Sequence, residues 1–321
     1  MIMNTNKKLD NIKKHPLNVL TLEELLNKEI PPRQNLLSPW LPSQGLCMIY
    51  AAREFGKTWM ALEIAYAVAS GGRFLCWEAE SPNGVIYIDG EMPLIVLQER
   101  LYQIDKSRGQ QKKVILKIVN PDVQEFGIPD LSTTEGQNEI DALISDEIKL
   151  VVLDNLSTLF RSGKENDSDG WGPIQEWLLR LRSRGKSVLL IHHAGKSGQQ
   201  RGTSRREDVL DTVITLKRPV EYKQQDGACF EVFFEKNRGL YGDEVKPFEA
   251  RLESHLSEDG VKTCNWTWKL LEDSNYEKVC RLSCDGLSNT DITQELGINK
   301  STVSRHVKRG KQEGKINLRN N

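Results

Sequence analysis

The sequence predicts an α/β fold: a mainly parallel β-sheet with helices on both faces, antiparallel strands at one edge, and a small all-α module at the C-terminal end. Three observations carry this. Short runs that are apolar throughout recur between helical patterns from residue 45 to residue 192, the signature of strands buried on both faces. Two later runs, DTVITL and ACFEVFFEK, follow one another with no helix between them, as antiparallel neighbours do. The closing stretch, 287 to 316, holds two short helical patterns around a glycine.

In order along the chain, residues 1–44 read as a lead-in. Within them LTLEELLNKEIPP forms a short helix from Thr21, with Glu24 completing a capping box and Pro31 and Pro32 stopping it. Residues 45–255 form the main domain. It begins with the strand LCMIYA and a helix from 56 to about 70, then the strand at 85–89 and a helix from about 93. VILKIV at 114–119, a helix near 134–145, KLVVLD at 149–154, a helix near 173–184 and SVLLIH at 187–192 complete the alternating series. Residues 256–275 read as a polar linker, and 276–321 as the C-terminal module.

The chain has 321 residues, which at roughly 150 per domain allows one large domain and one or two small modules. Hydrophobic residues at 38% and charged residues at 28% are those of a globular protein and exclude disordered, fibrous and mucin-like classes. No run reaches the ~18 uninterrupted apolar residues that a membrane helix needs, and the N-terminal stretch has no apolar signal core. The expected setting is the cytoplasm, with no membrane partner. Net charge is −1, yet residues 1–15 carry +3 and residues 300–321 carry +6, which leaves about −10 for the body between them. Basic ends on an acidic body reopen the possibility of a nucleic-acid partner. Of six cysteines only Cys280 and Cys284 lie close in sequence, spaced as neighbours on one helix face, with a metal or redox role left as the alternative.

The chemistry concentrates at strand ends. Residues 51–58, AAREFGKT, match the phosphate-loop spacing GxxxxGK[ST], with Ala51 at the first glycine position. Ala51, Ala52, Arg53, Glu54, Phe55, Gly56, Lys57, Thr58 and Trp59 are therefore candidate ATP-binding residues. Gly56 allows close backbone approach, Lys57 supplies a cation to the β and γ phosphates, and the helix N-terminus adds its dipole. Thr58 is a candidate Mg²⁺ ligand. The strand KLVVLD ends in Asp154, a second candidate metal partner at the tip of a parallel strand; capping of the next helix is the alternative. VIYIDGEMP brings Asp89 and Glu91, and Glu91 suits a general base for an attacking water. His192 and His193 end another strand, where a histidine can sense the γ phosphate or simply cap the strand; the two point to opposite faces, which argues against a shared metal.

The order of these pieces resembles RecA-like P-loop ATPases, and within them RepA-type and DnaB-type hexameric replicative helicases of plasmids and mobile elements. The resemblance spans about residues 20–255. It implies a homo-oligomeric ring using ATP and Mg²⁺, with Lys57 and Glu91 catalytic, Arg100 against the adenine, and His193 coupling the γ phosphate to a loop bearing Lys196 and Arg201. The tail of ACFEVFFEKNRG resembles a segment that presents Lys236 and Arg238 to the neighbouring subunit; as plain residues the pair also suits a solvated strand end. Asn155 follows Asp154 where the family often has an acidic or small residue, and the polar insert RSGKENDSDGWG at 161–172 does not align by eye with the family pattern.

LSNTDITQELGINKSTVSRHVKRG reads as a helix-turn-helix, capped at Asn289 or Thr290, turning at 297–299, with a second helix from Lys300 to about Lys308. Lys300, Ser301, Thr302, Ser304 and Arg305 would face the DNA major groove and Lys308 and Arg309 its phosphates. Docking to protein is the alternative, and EGKI at 313–316 leaves a wing open. The expected function is an ATP-driven, ring-forming DNA motor, a RepA-like replicative helicase. The alternatives are an ATP-switched DNA-binding regulator and a RecA-type recombination or repair ATPase without unwinding activity.

Overall fold

The computed structural model describes residues 17–109, 114–162, 168–195, 207–256, 260 and 262–316. By contacts the chain divides into two units, Met1–Arg33 and Gln34–Asn321. The first contains helix α1 (Leu22–Leu26), closed by the expected box: the Thr21 hydroxyl accepts from the Glu24 amide, and the Glu24 carboxylate accepts from the Thr21 amide at 2.7 Å. None of its residues is buried.

The second unit opens with strands β1 (Asn35–Leu37) and β2 (Leu41–Pro42), a hairpin inside the stretch read as lead-in. Trp40 between them is fully buried, 5.1 Å from Trp77. Strands of two or three residues interrupted by prolines carry no periodicity to read. The alternating series follows: β3 (Leu46–Ala51), α2 (Lys57–Ser70), the small hairpin β4 (Arg73–Phe74) and β5 (Trp77–Glu78), β6 (Gly84–Asp89), α3 (Leu94–Ser107), β7 (Leu116–Val119), α4 (Thr134–Asp141), β8 (Ile148–Asp154), α5 (Leu156–Leu159), α6 (Ser168–Ser183) and β9 (Ser187–His193). Then come β10 (Thr212–Lys217), β11 (Cys229–Asn237), β12 (Phe248–Leu256) and β13 (Lys262–Leu270).

Among the described residues the main sheet has nine strands in the order β13-β12-β11-β10-β3-β9-β8-β6-β7. From β10 to β7 every pairing is parallel; from β10 to β13 every pairing is antiparallel. This is the α/β fold that the sequence predicts. Along β3 the side chains alternate between two cores: Cys47 and Ile49 pack with α2 on one face, and Leu46, Met48 and Tyr50 pack toward α6 on the other. Such a strand is apolar throughout because neither face meets water.

Residues 256–275, read from sequence as a linker, instead supply strand β13 and the first turn of the next helix. Cys264 and Trp266 point inward at period two, and β13 pairs with β12 along its whole length. Polar residues on its other face disguise it, and β12 is hidden the same way in FEARLESHL.

Three helices close the chain: α7 (Leu271–Cys284), α8 (Asn289–Leu296) and α9 (Lys300–Gln312). Val279, Ile292, Leu296 and Val303 make their shared core. The cap of α8 is Ser288, one residue earlier than expected, boxed with Asp291. Helix α9 runs four residues past the expected Lys308. It passes Gly310 because a Cβ there would stand 2.7 Å from both Cys280 Sγ and Ile316 Cδ1. Cys280 is buried in that contact while Cys284 is exposed with its thiol toward Lys315 O, so the two form no pair.

Candidate active site

Strand register builds the site. Ala51 of β3 lies beside His193 of β9, and Asp89 of β6 beside Asp154 of β8, so four parallel strands end at one rim. The rim opens into a cleft of about 960 Å³, a volume suited to a nucleotide. Arg53 to Trp59, Glu91, Arg100, Asp154 and His193 line it. Ala51 and Ala52 contribute carbonyl groups that accept from Lys57 Nζ at 3.0 and 2.6 Å.

Lys57 is buried, and burial lowers its pKa to about 8 against the opposing pull of Asp154 and Glu91. Gly56 before it has φ +84°, and a Cβ there would come within 2.9 Å of Ala228 Cβ, so the position requires glycine. Burial pushes Asp154 up to about 6, partly offset by a hydrogen bond from Tyr87 Oη at 2.6 Å and another from Thr58. Asp89 is also buried and raised; it accepts from the amides of Glu91 and Met92 at 3.0 Å each, and from Asn120 Nδ2 at 3.2 Å. That turn presents Glu91 to the cleft. There its carboxylate accepts from Asn155 Nδ2 at 2.5 Å and stands 3.7 Å from His193 Nε2. Burial first, then the nearby Lys57 charge, lower the pKa of His193, which keeps the imidazole neutral at neutral pH. The Arg100 guanidinium lies 5.0 Å from the centre of the Trp59 ring, where an aromatic and a planar cation make a surface for a base.

Other expected residues lie elsewhere. Lys236 and Arg238, at the end of β11, donate to the backbone carbonyls of Glu207 and Asp208 and do not line the cleft. Lys300, Ser301, Ser304, Arg305, Lys308 and Arg309 are exposed on α9, with Thr302 half-buried beside them. Arg305 pairs with Glu272 at 3.0 Å, and Arg309 pairs with Glu313 while lying over the Tyr276 ring. Lys196 and Arg201 fall outside the described residues, as do residues 163–167 of the insert.

Sequence reasoning missed the residues that hold the others in place. Tyr87 and Asn120 sit inside strands or turns with no motif. Asn155, noted only as a departure, holds Glu91. The far wall of the cleft comes from Ala228, just before β11, from Leu252 and Ser254 of β12 and from Lys262 of β13, and so depends on strands that the sequence conceals.

Two raised carboxylates and a depressed lysine in one cleft are charges poorly balanced by the protein alone. A phosphate chain would partner Lys57, and a dication would relieve Asp154, so the residues present fit both groups. Among the described residues no group of three His, Cys, Asp or Glu could hold a metal unaided. This suits Mg²⁺, which takes one or two protein ligands and fills the rest of its shell with phosphate oxygens and water. Thr58 and Asp154 would hold it, and when bound it would neutralise charge on the transferring phosphoryl group.

Comparison with known families agrees with this geometry: a model described as AAA domain matches residues 13–199. The chain belongs to the AAA domain family. Its body is a mainly parallel α/β sheet carrying a GK[ST] loop between β3 and α2. Among solved structures, the RadB recombinase aligns at 15% identity over 68% of this chain and 90% of its own, with a TM-score of 0.45. The KaiC-like protein PH0186 of Pyrococcus horikoshii OT3 aligns at 15% identity over 72% and 94%, with a TM-score of 0.48. In this AAA domain protein, Glu91 stands where a base could take a proton from water, and Lys57 and neutral His193 where they could meet the phosphate oxygens.

Proposed function

We propose that this protein is an ATP-hydrolysing, ring-forming DNA motor, a RepA-like replicative helicase of a plasmid or mobile element that acts in the cytoplasm. Lys57, Glu91, Asp154 and His193 share one cleft while the basic pair Lys236 and Arg238 stands outside it, and this separation carries the proposal. The cleft has Arg53 and Arg100 of its own, and on this reading a further guanidinium from a neighbour would stabilise the transition state. The apolar side chains of α1 that bury nothing in their own unit support an assembly.

Helices α8 and α9 serve as the helix-turn-helix, with Lys300, Ser301, Thr302, Ser304 and Arg305 toward bases and Lys308 and Arg309 toward phosphates. No helix among the described residues is long and apolar enough to cross a membrane. The measurement that tests the proposal is unwinding of a forked duplex with ATP and Mg²⁺. Strand separation that disappears in Lys57→Ala is expected; ATP hydrolysis by an oligomer with no separation sinks the helicase reading.

One observation favours a second reading. Helix α7 is anchored to the sheet, with Glu249 of β12 accepting from Ser274 at 2.9 Å and Lys278 at 2.6 Å. A DNA-binding module seated on the ATPase body suits an ATP-switched regulator, in which case DNA affinity would follow nucleotide state without unwinding.

A further inference from the structure

One short loop, residues 218–228, touches the phosphate loop at one end and the C-terminal helices at the other. At the phosphate-loop end, Arg218 donates to Glu54 O at 2.5 Å, and its guanidinium lies 4.5 Å from the centre of the Phe55 ring. Ala228 fills the space beside Gly56. The loop is internally braced. Arg218 also donates to Gly227 O and Cys229 O and stacks on Tyr222 at 3.6 Å, Tyr222 Oη donates to Gly227 O, and Asp226 accepts from the Lys223 amide. At the helical end, Glu221 pairs with Arg281 of α7 at 2.5 Å, and Val220 lies against the α8–α9 turn, 3.6 Å from where a Cβ of Gly297 would stand.

The geometry points to loop 218–228 as a transmission between the nucleotide cleft and the C-terminal helices, with Arg218 as the positioning residue that reads the state of the phosphate loop. Glu54 and Phe55 belong to the segment that must close around phosphates. Arg218 grips that segment by a backbone carbonyl and a ring face, so closure displaces the guanidinium or is resisted by it. Because the loop is braced around Arg218, the displacement moves Val220 and Glu221 together, and both meet the helices. Helix α7 is held separately at Glu249, so a push at Arg281 and at the α8–α9 turn tilts the helices about a fixed point. Coupling of this kind is reciprocal: whatever the helices bind would alter nucleotide affinity by the same factor.

The inference rests on the cleft being a nucleotide site, and the test separates the two. Hydrogen exchange of the full chain is followed with and without a non-hydrolysable ATP analogue and Mg²⁺. Analogue binding is measured in parallel, and Lys57→Ala is the control. The wild-type chain is expected to bind the analogue and to show about a tenfold change in amide exchange across residues 271–298. Glu221→Arg, which leaves Arg218 and the cleft intact, is expected to keep binding and lose most of that change. Glu221→Arg combined with Arg281→Glu is expected to restore it. Arg218→Ala is expected to lose the change and to weaken analogue binding several-fold. Binding without any change at residues 271–298, or a full change in Glu221→Arg, overturns the transmission alone. No analogue binding overturns it together with the reading of the cleft.

Discussion

Lys57 and Asp154 hold opposite charges in one buried cleft, and each is pushed toward its neutral form, to about 8 and about 6. Lys57 must carry its proton to meet a phosphate, and Asp154 must lose its proton to meet a cation. Affinity for the Mg²⁺ nucleotide is therefore expected to be highest between about pH 6 and 8. Above that range free Lys57 loses its charge and binding becomes linked to proton uptake; below it Asp154 is protonated and binding becomes linked to proton release. Each limb should approach roughly tenfold per pH unit. Titration calorimetry across that range checks it, and a flat profile would place the binding energy elsewhere. Asn155 invites a second test. Its side chain holds Glu91 and also caps α5 by accepting from the Ser157 and Thr158 amides. Asn155→Ser keeps a capping oxygen but cannot reach Glu91, so kcat should fall roughly 10- to 100-fold with the melting temperature nearly unchanged. Equal losses in stability and rate would mean that Asn155 acts only as a cap. The motif residues were legible because their types and spacing are dictated by phosphate chemistry. Tyr87, Asn120 and Asn155 were not, since each acts on a partner 31 to 67 positions away.

Whether an element was legible depended on how many of its faces are dry. Strands β3, β6, β8 and β9 each hold an unbroken run of four or more apolar residues and stand out; β12 and β13 bury one face and expose Glu253, Asn265 and Thr267 on the other, so they read as loop. The cost of that misreading is functional, because these strands supply a wall of the cleft. The closing helices show the converse. Gly310 breaks the apolar pattern in sequence, yet α9 lies so close to α7 there that a Cβ would stand 2.7 Å from Cys280 Sγ. Gly310→Val should destabilise the module by about 1 to 3 kcal/mol through overpacking against Cys280 and Ile316. Thermal unfolding followed by circular dichroism measures this; an unchanged melting temperature would show that α7 and α9 can part at little cost.

At the scale of the whole molecule, the question is what completes the cleft. If Arg238 serves a neighbour, Arg238→Ala should reduce ATP hydrolysis by roughly a thousandfold or more while ATP binding persists. Mixing it with Lys57→Ala should recover part of the rate, because a mixed assembly contains sites with an intact Lys57 from one subunit and an intact Arg238 from the next. Normal hydrolysis in Arg238→Ala, or no recovery on mixing, would place the missing charge elsewhere. The charge split has the same scale: an acidic body carries the cleft, and its basic C-terminal end extends over α9, whose Arg305 is already engaged with Glu272. Any anionic partner would have to displace that pair, at a small cost because both side chains are mostly exposed.

By itself the sequence determined the parallel α/β class, the phosphate loop with Lys57 and Thr58, and the strand-end acids, since burial on two faces and phosphate binding each restrict residue types over a few consecutive positions. Only the tertiary structure decided which side chains hold Asp154, Asp89 and Glu91 in place, that β12 and β13 wall the cleft, and that loop 218–228 bridges Glu54 and Arg281. Those are contacts between segments distant in the chain. Their energy comes from complementary shape and paired charge after folding, and such pairing leaves no period or spacing in the sequence.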